Sequence, residues 1–341
     1  METMKAAIYK GIKKIEIMEK PIPRAGSNDI VVQIKRAGIC ATDTTAYLHN
    51  GDIVGIYPGA EFGHEMVGVV SETGEKVTAL KKGTRVFVNP MTYRPANVKE
   101  RGGAFSEYVL VENAQLDYNV FILPDELSFD DAVIIEPFSV GIHGKNVVGT
   151  DNYNNVVIFG AGAIGLSALS GLIGSGNKKP VVVDIDDKRL KLAEEMGGIG
   201  FNSATGDLCQ FLTERFGQSM NYLGSAVPDI DVYMDCAGAP NIPEQFLNLS
   251  KIGSRFVVVA VYKKPVEVTL GNLMWTESSM MGSFMYNSSD IREAIDYLSD
   301  KNTNAVKMIT HNFSHSQIVE AFEMAINTEK AVKVVINYEL A

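Results

Sequence analysis

The rhythm of hydrophobic and polar positions changes near residue 150. Before it, short runs such as "KAAIY", "DIVVQIKRAGI", "MVGVVSE", "TRVFVNPM" and "AFSEYVLVE" are separated by Gly and Pro. Their β-branched and aromatic content predicts an irregular, mostly antiparallel β region. Beyond it, apolar runs alternate with helical stretches: "NVVIFG", "AIGLSALSGLIG", "PVVVDID", "KRLKLAEEMGG", then "DIDVYMDCAG" and "RFVVVAVY". That alternation predicts βαβ units on a parallel sheet, hence an α/β chain. The stretch "DIREAIDYLSDKN", "HSQIVEAFEMAIN", "AVKVVINYE" reads as helix, helix, strand. In "LSFDDAVIIEPFSVGIHG", Ser128 stands three residues before Asp131 and ahead of apolar spacing, which predicts a capped helix leading into the second half. A length of 341 residues exceeds the roughly 250–300 at which single cores stop growing. Two domains are expected, a β-rich one from residues 1–145 and 287–341 and a doubly wound one from 146–286.

The segment "VVIFGAGAIG" gives the second domain its chemistry. Gly160, Gly162 and Gly165 form G-x-G-x-x-G directly after an apolar strand and directly before a helix. In that context the glycines allow a tight turn and the close approach of a pyrophosphate, which the helix N-terminus attracts. Asp184 follows Gly165 by nineteen residues, at the end of the next apolar run, where a carboxylate holds a ribose 2′-hydroxyl. The same carboxylate repels a 2′-phosphate, so NAD is favoured over NADP, although Lys188 and Arg189 lie close in sequence.

The β-rich half carries a different set. "AGICATD" offers Cys40 just past a strand, and "EFGHEM" offers His64 with Glu65 beside it. "IIEPFSV" offers Glu136 ahead of a proline at a helix start. Singly these residues read as a small buried thiol, a hydrogen-bonded histidine, a solvated charge and a helix-dipole cap. Together they match open catalytic zinc, which keeps three protein ligands, better than closed structural zinc with four Cys or His.

Composition narrows the partners. The net charge of −10 has no basic patch beside it, which argues against nucleic acid and anionic lipid and for a small-molecule partner. Three cysteines without paired spacing form no disulfide framework. No stretch approaches the ~18 apolar residues of a membrane span, and the first twenty residues lack a signal-like apolar core, so a cytoplasmic location is expected.

The order of "AGICATD", "GHE", "LPDELSFDDAVIIEPFSVGIHG", "VVIFGAGAIG", "VVVDIDDKRL", "MDCAG" and "MITHNFS" resembles the zinc-dependent medium-chain alcohol dehydrogenases over nearly the whole chain, most of all the sorbitol (L-iditol) and polyol branch. The resemblance implies a GroES-like catalytic domain joined to a Rossmann domain. It also implies hydride transfer between NAD and a secondary alcohol, and one catalytic zinc per chain on Cys40 and His64 with Glu65 or Glu136. It further assigns Asp43 to orienting the His64 imidazole and Thr42 to passing the substrate proton outward. Cofactor contacts implied are Gly160, Gly162, Ala163, Ile164, Gly165, Asp184 and Arg189, the loop Val259, Ala260 and Val261, and Phe284 with Met285. Relatives of this kind are dimers or tetramers, so a homo-oligomer is expected.

Four departures qualify the resemblance. The loop "NPMTYRPANVKERGGAFSEY" has no cysteine where most relatives bind a second, structural zinc, so none is expected. Met285 stands where sorbitol enzymes carry an arginine for polyol hydroxyls. Ala41 replaces a glycine, and Thr45 stands where many relatives have a histidine. Tyr47, Tyr93, Arg94 and Tyr286 are candidate pocket residues, with Arg94 or Lys145 as the cation for a substrate anion. Rival readings are a threonine- or butanediol-type enzyme, a zinc-free quinone-reductase-like member, and a dinucleotide sensor without turnover.

Overall fold

A computed structural model describes residues 2–92, 102–150, 155–301 and 303–340. Two compact units emerge, Met1–Glu136 with Ile309–Ala341, and Pro137–Met308. The sequence expectation put residues 137–145 and 287–308 with the β-rich unit. The partition differs because the helix Ile135–Val148 is continuous and packs tightly on the parallel-sheet unit. A Cβ on its Gly141 would lie 2.4 Å from the Ala168 backbone nitrogen, and one on Gly144 2.8 Å from Val259 Cγ2.

In the first unit, a seven-stranded sheet runs in the order Ile309–Ser314, Lys333–Asn337, Ile30–Gly38, Glu65–Thr73, Arg85–Val88, Val120–Ile122, with Tyr108–Val111 also paired to Ile30–Gly38. Only Ile309–Ser314 and Lys333–Asn337 run parallel; the other pairs are antiparallel, as the sequence pattern predicts. Apolar residues such as Ile30, Val32, Ile34, Val70 and Val86 fill its core, with the rings of Tyr9, Phe62, Phe105 and Phe322 packed edge to face around them. Ser128 accepts the Asp131 amide at 3.0 Å, but the helix it caps is the single turn Phe129–Ala132, and the helix that leads into the second unit, Ile135–Val148, starts separately.

The second unit is a six-stranded parallel sheet ordered Ile199–Asn202, Val181–Asp184, Val156–Phe159, Val232–Asp235, Arg255–Val258, Ser279–Gly282. Strand order therefore reverses at Val156–Phe159, the switch point at which doubly wound sheets bind ligands. A hairpin of Gln218–Met220 and Ala226–Pro228 and a short helix, Leu270–Trp275, are additions that the alternation did not predict. Among the described residues no helix is long and apolar enough to cross a membrane.

A polar network joins helix Ile135–Val148 to helix Ser288–Ser299. His143 Nδ1 lies 2.8 Å from Asp290, Asn146 donates to Asp290 and Glu293, and Lys145 pairs with Glu293 at 2.9 Å. Burial pushes the Glu293 carboxyl up, but hydrogen bonds from Asn146, Tyr297 and Lys145 outweigh it and hold it below the ordinary 4.5. A depressed carboxyl contributes stability that is complete above its unfolded value and is lost as pH falls through the folded one. Lys145→Met should therefore cost about 2 kcal/mol at pH 7. In urea unfolding, the gap to wild type should hold down to about pH 5 and narrow as pH falls below the ordinary 4.5 through the depressed folded value; a pH-independent gap would show that the lysine acts through packing alone.

Candidate active site

The β-register assembles the donor set. Ile30–Gly38 pairs antiparallel with Glu65–Thr73 so that Gly38 faces Glu65. The chain leaves the sheet at one end through Ile39 to Cys40 and enters it at the same end through His64. Cys40 then caps helix Ala41–Leu48, and its backbone N–H donates to Asp43 Oδ2 at 3.0 Å. Gly63 has φ +87°, and a Cβ there would lie 2.7 Å from the Phe105 ring, so the turn before His64 requires glycine. One ligand atom each from Cys40, His64 and Glu65 lie within 4.8 Å of one another. Glu136, in the first turn of helix Ile135–Val148, lies outside that compact group, yet its charge reaches both His64 and Lys333.

Lys333 is the residue that sequence reasoning missed. It opens the strand beside Ile30–Gly38, and its buried Nζ donates to both Glu65 oxygens at 2.7 and 2.8 Å and to the Ile39 carbonyl at 3.2 Å. The only signal was a lysine inside the apolar run "AVKVVIN". Gly38 makes room for the pair, since a Cβ there would sit 1.9 Å from Glu65 Oε2. Burial lowers the Lys333 ammonium, but Glu65 and Cys40 more than compensate and raise it. Burial likewise opposes a charged His64, whereas Cys40, Asp43 and Glu136 drive it well above the ordinary value. One lysine thus faces two glutamates, Asp43 and a thiol.

That charge imbalance and the sulfur, nitrogen and oxygen donors fit a divalent metal of borderline softness such as zinc. A further observation agrees. Asp43 Oδ1 is fully buried without a hydrogen-bond partner and lies 3.8 Å from His64 Nδ1, where the imidazole of a metal-bound histidine needs an acceptor. Thr42 Oγ1 is 3.8 Å from Cys40 Sγ.

Other expected site residues lie along the carboxyl ends of the parallel strands. Gly160, at φ +98°, follows Val156–Phe159; Gly162 caps helix Ala163–Gly174, whose first turn contains Ile164; a Cβ on Gly165 would lie 1.8 Å from the Gly160 carbonyl oxygen. Asp184 Oδ2 accepts the Ala161 amide at 2.7 Å, and Oδ1 accepts those of Ile185 and Asp186. An Arg189 nitrogen is 3.7 Å from where a Gly162 Cβ would be. Val259 and Ala260 donate to the Asp235 carbonyl. Ile185, Val261 and Phe284 are 71%, 86% and 80% exposed and follow the strands Val181–Asp184, Arg255–Val258 and Ser279–Gly282. Met285 holds a left-handed backbone at φ +56°.

Several candidates have other duties. Tyr47 donates to Glu323 at 2.8 Å, and burial with that carboxylate pushes its phenol up to about 12. Lys145 is held by Glu293, so it is not a cation for a substrate anion. Tyr286 is buried. Tyr93 and Arg94, with the rest of residues 93–101 of the cysteine-free loop, lie outside the described residues.

A dinucleotide-type sheet in one unit and a Cys/His/Glu donor set in the other define a metal-dependent dehydrogenase. Residues 26–124 match the alcohol dehydrogenase GroES-like domain and residues 163–300 the zinc-binding dehydrogenase domain, together well over half of the chain. The chain belongs to the zinc-binding dehydrogenase family and is an oxidoreductase. It is 28% identical to L-idonate 5-dehydrogenase of Vitis vinifera over 97% of this chain and 94% of that protein. It is 28% identical to sorbitol dehydrogenase of Mus musculus over 93% and 91%. An Escherichia coli CFT073 alcohol dehydrogenase solved with NADH superposes with a TM-score of 0.84 at 27% identity, covering 99% of this chain and all of that one.

Removing Lys333 should strand the Glu65 charge. Lys333→Met is expected to lose about 3–5 kcal/mol in urea unfolding, and Glu65→Gln in the same chain should restore much of it. A single variant as stable as wild type would show that the pair contributes nothing.

Proposed function

We propose that this oxidoreductase uses NAD and one zinc ion per chain to interconvert a secondary alcohol of a polyol, sugar acid or sugar phosphate with its ketone. The compact Cys40, His64 and Glu65 group, with Asp43 behind the imidazole, carries the reading. The similarity to enzymes named for L-idonate and for sorbitol supports the substrate class. The NADH-bound relative supports the cofactor, as does a carboxylate rather than a cation at the end of Val181–Asp184.

Cys40 and His64 hold the metal, and Glu65 or Glu136 completes the set. Zinc, when bound, supplies the Lewis acidity that makes an alcohol proton easy to lose at neutral pH. Asp43 keeps the His64 ring oriented, and Lys333, with two hydrogen bonds, holds the Glu65 carboxylate in place. The Thr42 hydroxyl, beside the Cys40 thiol, would take the alcohol proton outward. Asp184 holds the adenosine ribose and disfavours a 2′-phosphate. Hydride transfer belongs to the nicotinamide, and the protein contributes position and field. The cysteine-free loop leaves the chain with a single zinc, and a cytoplasmic homodimer or homotetramer acting on small molecules completes the reading.

Metal analysis of the purified protein should find one zinc per chain. NAD reduction, screened over polyols, sugar acids, sugar phosphates and simple diols, should be sensitive to chelator. Cys40→Ala should lose the metal and at least about a hundredfold in turnover, since Lewis acid assistance amounts to several kcal/mol, while NADH still binds. Comparing zinc content in Glu65→Gln and Glu136→Gln identifies the third ligand. Metal-free protein that turns over substrates would refute the zinc mechanism. Asp184→Ala should move the NAD over NADP preference by roughly ten- to a hundredfold, the worth of a charged hydrogen bond; an unmoved preference would assign selectivity elsewhere.

A further inference from the structure

Asp235 ends the strand Val232–Asp235 and is completely buried. Its carboxylate meets neutral donors: Oδ1 accepts the amides of Ala237 at 3.0 Å and Gly238 at 2.9 Å, and Oδ2 accepts the Tyr262 hydroxyl at 2.6 Å. Its backbone carbonyl accepts the amides of Val259 at 2.9 Å and Ala260 at 3.0 Å. One residue therefore ties together the turn 236–238 that leaves its own strand and the loop 259–261 that leaves the neighbouring strand Arg255–Val258. Tyr262, one residue past that loop, closes the circuit from the other side.

The two segments are in van der Waals contact, and the turn also touches the glycine motif. Gly238 has φ +70°, and a Cβ there would lie 3.2 Å from Ala260 Cβ and 3.3 Å from the Val261 carbonyl oxygen. A Cβ on Gly160 would lie 3.0 Å from Ala237 Cβ. The amides of Ala237 and Gly238 are taken up by Asp235, so the carboxylate shapes the turn rather than gripping a ligand. A buried carboxylate oxygen left without a donor costs its desolvation penalty, so the Tyr262 hydroxyl has a strong hold on the loop.

The sheet order says which part of a dinucleotide this region serves. In a doubly wound sheet the pyrophosphate lies at the switch-point strand, here Val156–Phe159, and the two nucleotide halves extend to either side. Asp184 ends the strand on one side and takes the adenosine ribose. Asp235 and the 259–261 loop end the strands on the other side, where the nicotinamide half extends.

Resting on the NAD reading above, we propose that Tyr262 is a positioning residue. Its hydroxyl bond to Asp235 sets the 236–238 turn and the 259–261 loop in the shape that receives the nicotinamide half. The test is a comparison of two ligands on Tyr262→Phe, which removes one hydroxyl and keeps the ring. NADH titrated by fluorescence and ADP-ribose, which lacks the nicotinamide, titrated by calorimetry are measured on wild type and variant alike. The expected result is a Kd for NADH raised about five- to tenfold with the Kd for ADP-ribose unchanged, which also certifies that the variant is folded. Unchanged NADH affinity, or an equal loss for both ligands, would overturn the positioning role while leaving the NAD reading intact. Wild-type protein that binds neither ligand would overturn both.

Discussion

The candidate catalytic site depends on one register. Pairing Gly38 with Glu65 across an antiparallel ladder fixes where two loops start, and those loops carry Cys40 and His64. A slip by one residue would turn every side chain of a strand to the opposite face and separate the donors. The register is held by burial, because both strands lie in the middle of the sheet with apolar neighbours on either side. It is held also by a steric lock: only a residue without Cβ at 38 admits the Glu65 carboxylate, which supplies the charge that the buried Lys333 needs.

Charge explains why the lysine is there. Two glutamates, an aspartate and a thiol in a largely buried space repel one another once ionised and call for cations. Lys333 supplies one fixed positive charge, and a metal ion supplies the remainder. A lysine can neutralise Glu65 from behind without occupying the space between the sulfur and the imidazole nitrogen. The same economy appears at Asp43, whose one carboxylate oxygen caps the helix that carries Cys40 while the other, fully buried, faces the His64 ring.

The second unit solves a different problem with the same tools. A parallel sheet gathers the ends of its strands along one edge, so loops far apart in sequence become neighbours. Asp184 and Asp235 end strands on opposite sides of Val156–Phe159, and each carboxylate organises a turn by accepting backbone amides. Asp184 remains at the surface of that edge beside the glycine turn, whereas Asp235 is sealed beneath it. Ile185, Val261 and Phe284 are exposed beyond the ends of three of these strands.

The sequence alone determined the two-part organisation, because the hydrophobic period differs between a half-buried antiparallel strand and a βαβ unit. It presented the glycine turn and Asp184, because the strand, G-x-G-x-x-G, helix and acid-ended strand follow one another in a recognisable order. It also presented Cys40, His64 and the two glutamates as candidates, because their residue types are rare together. It missed the edge strands Ile199–Asn202 and Ser279–Gly282, which are half exposed and carry no apolar run, and it placed one domain limit, after residue 145, inside the helix Ile135–Val148 whose packing it could not see. Only the tertiary structure decided that Lys333 backs Glu65, that Tyr47 and Lys145 belong to other partners, and that Asp235 joins two loops. Each of those facts is a contact between residues from about twenty-seven to more than two hundred positions apart, and no local pattern encodes a partner that distant.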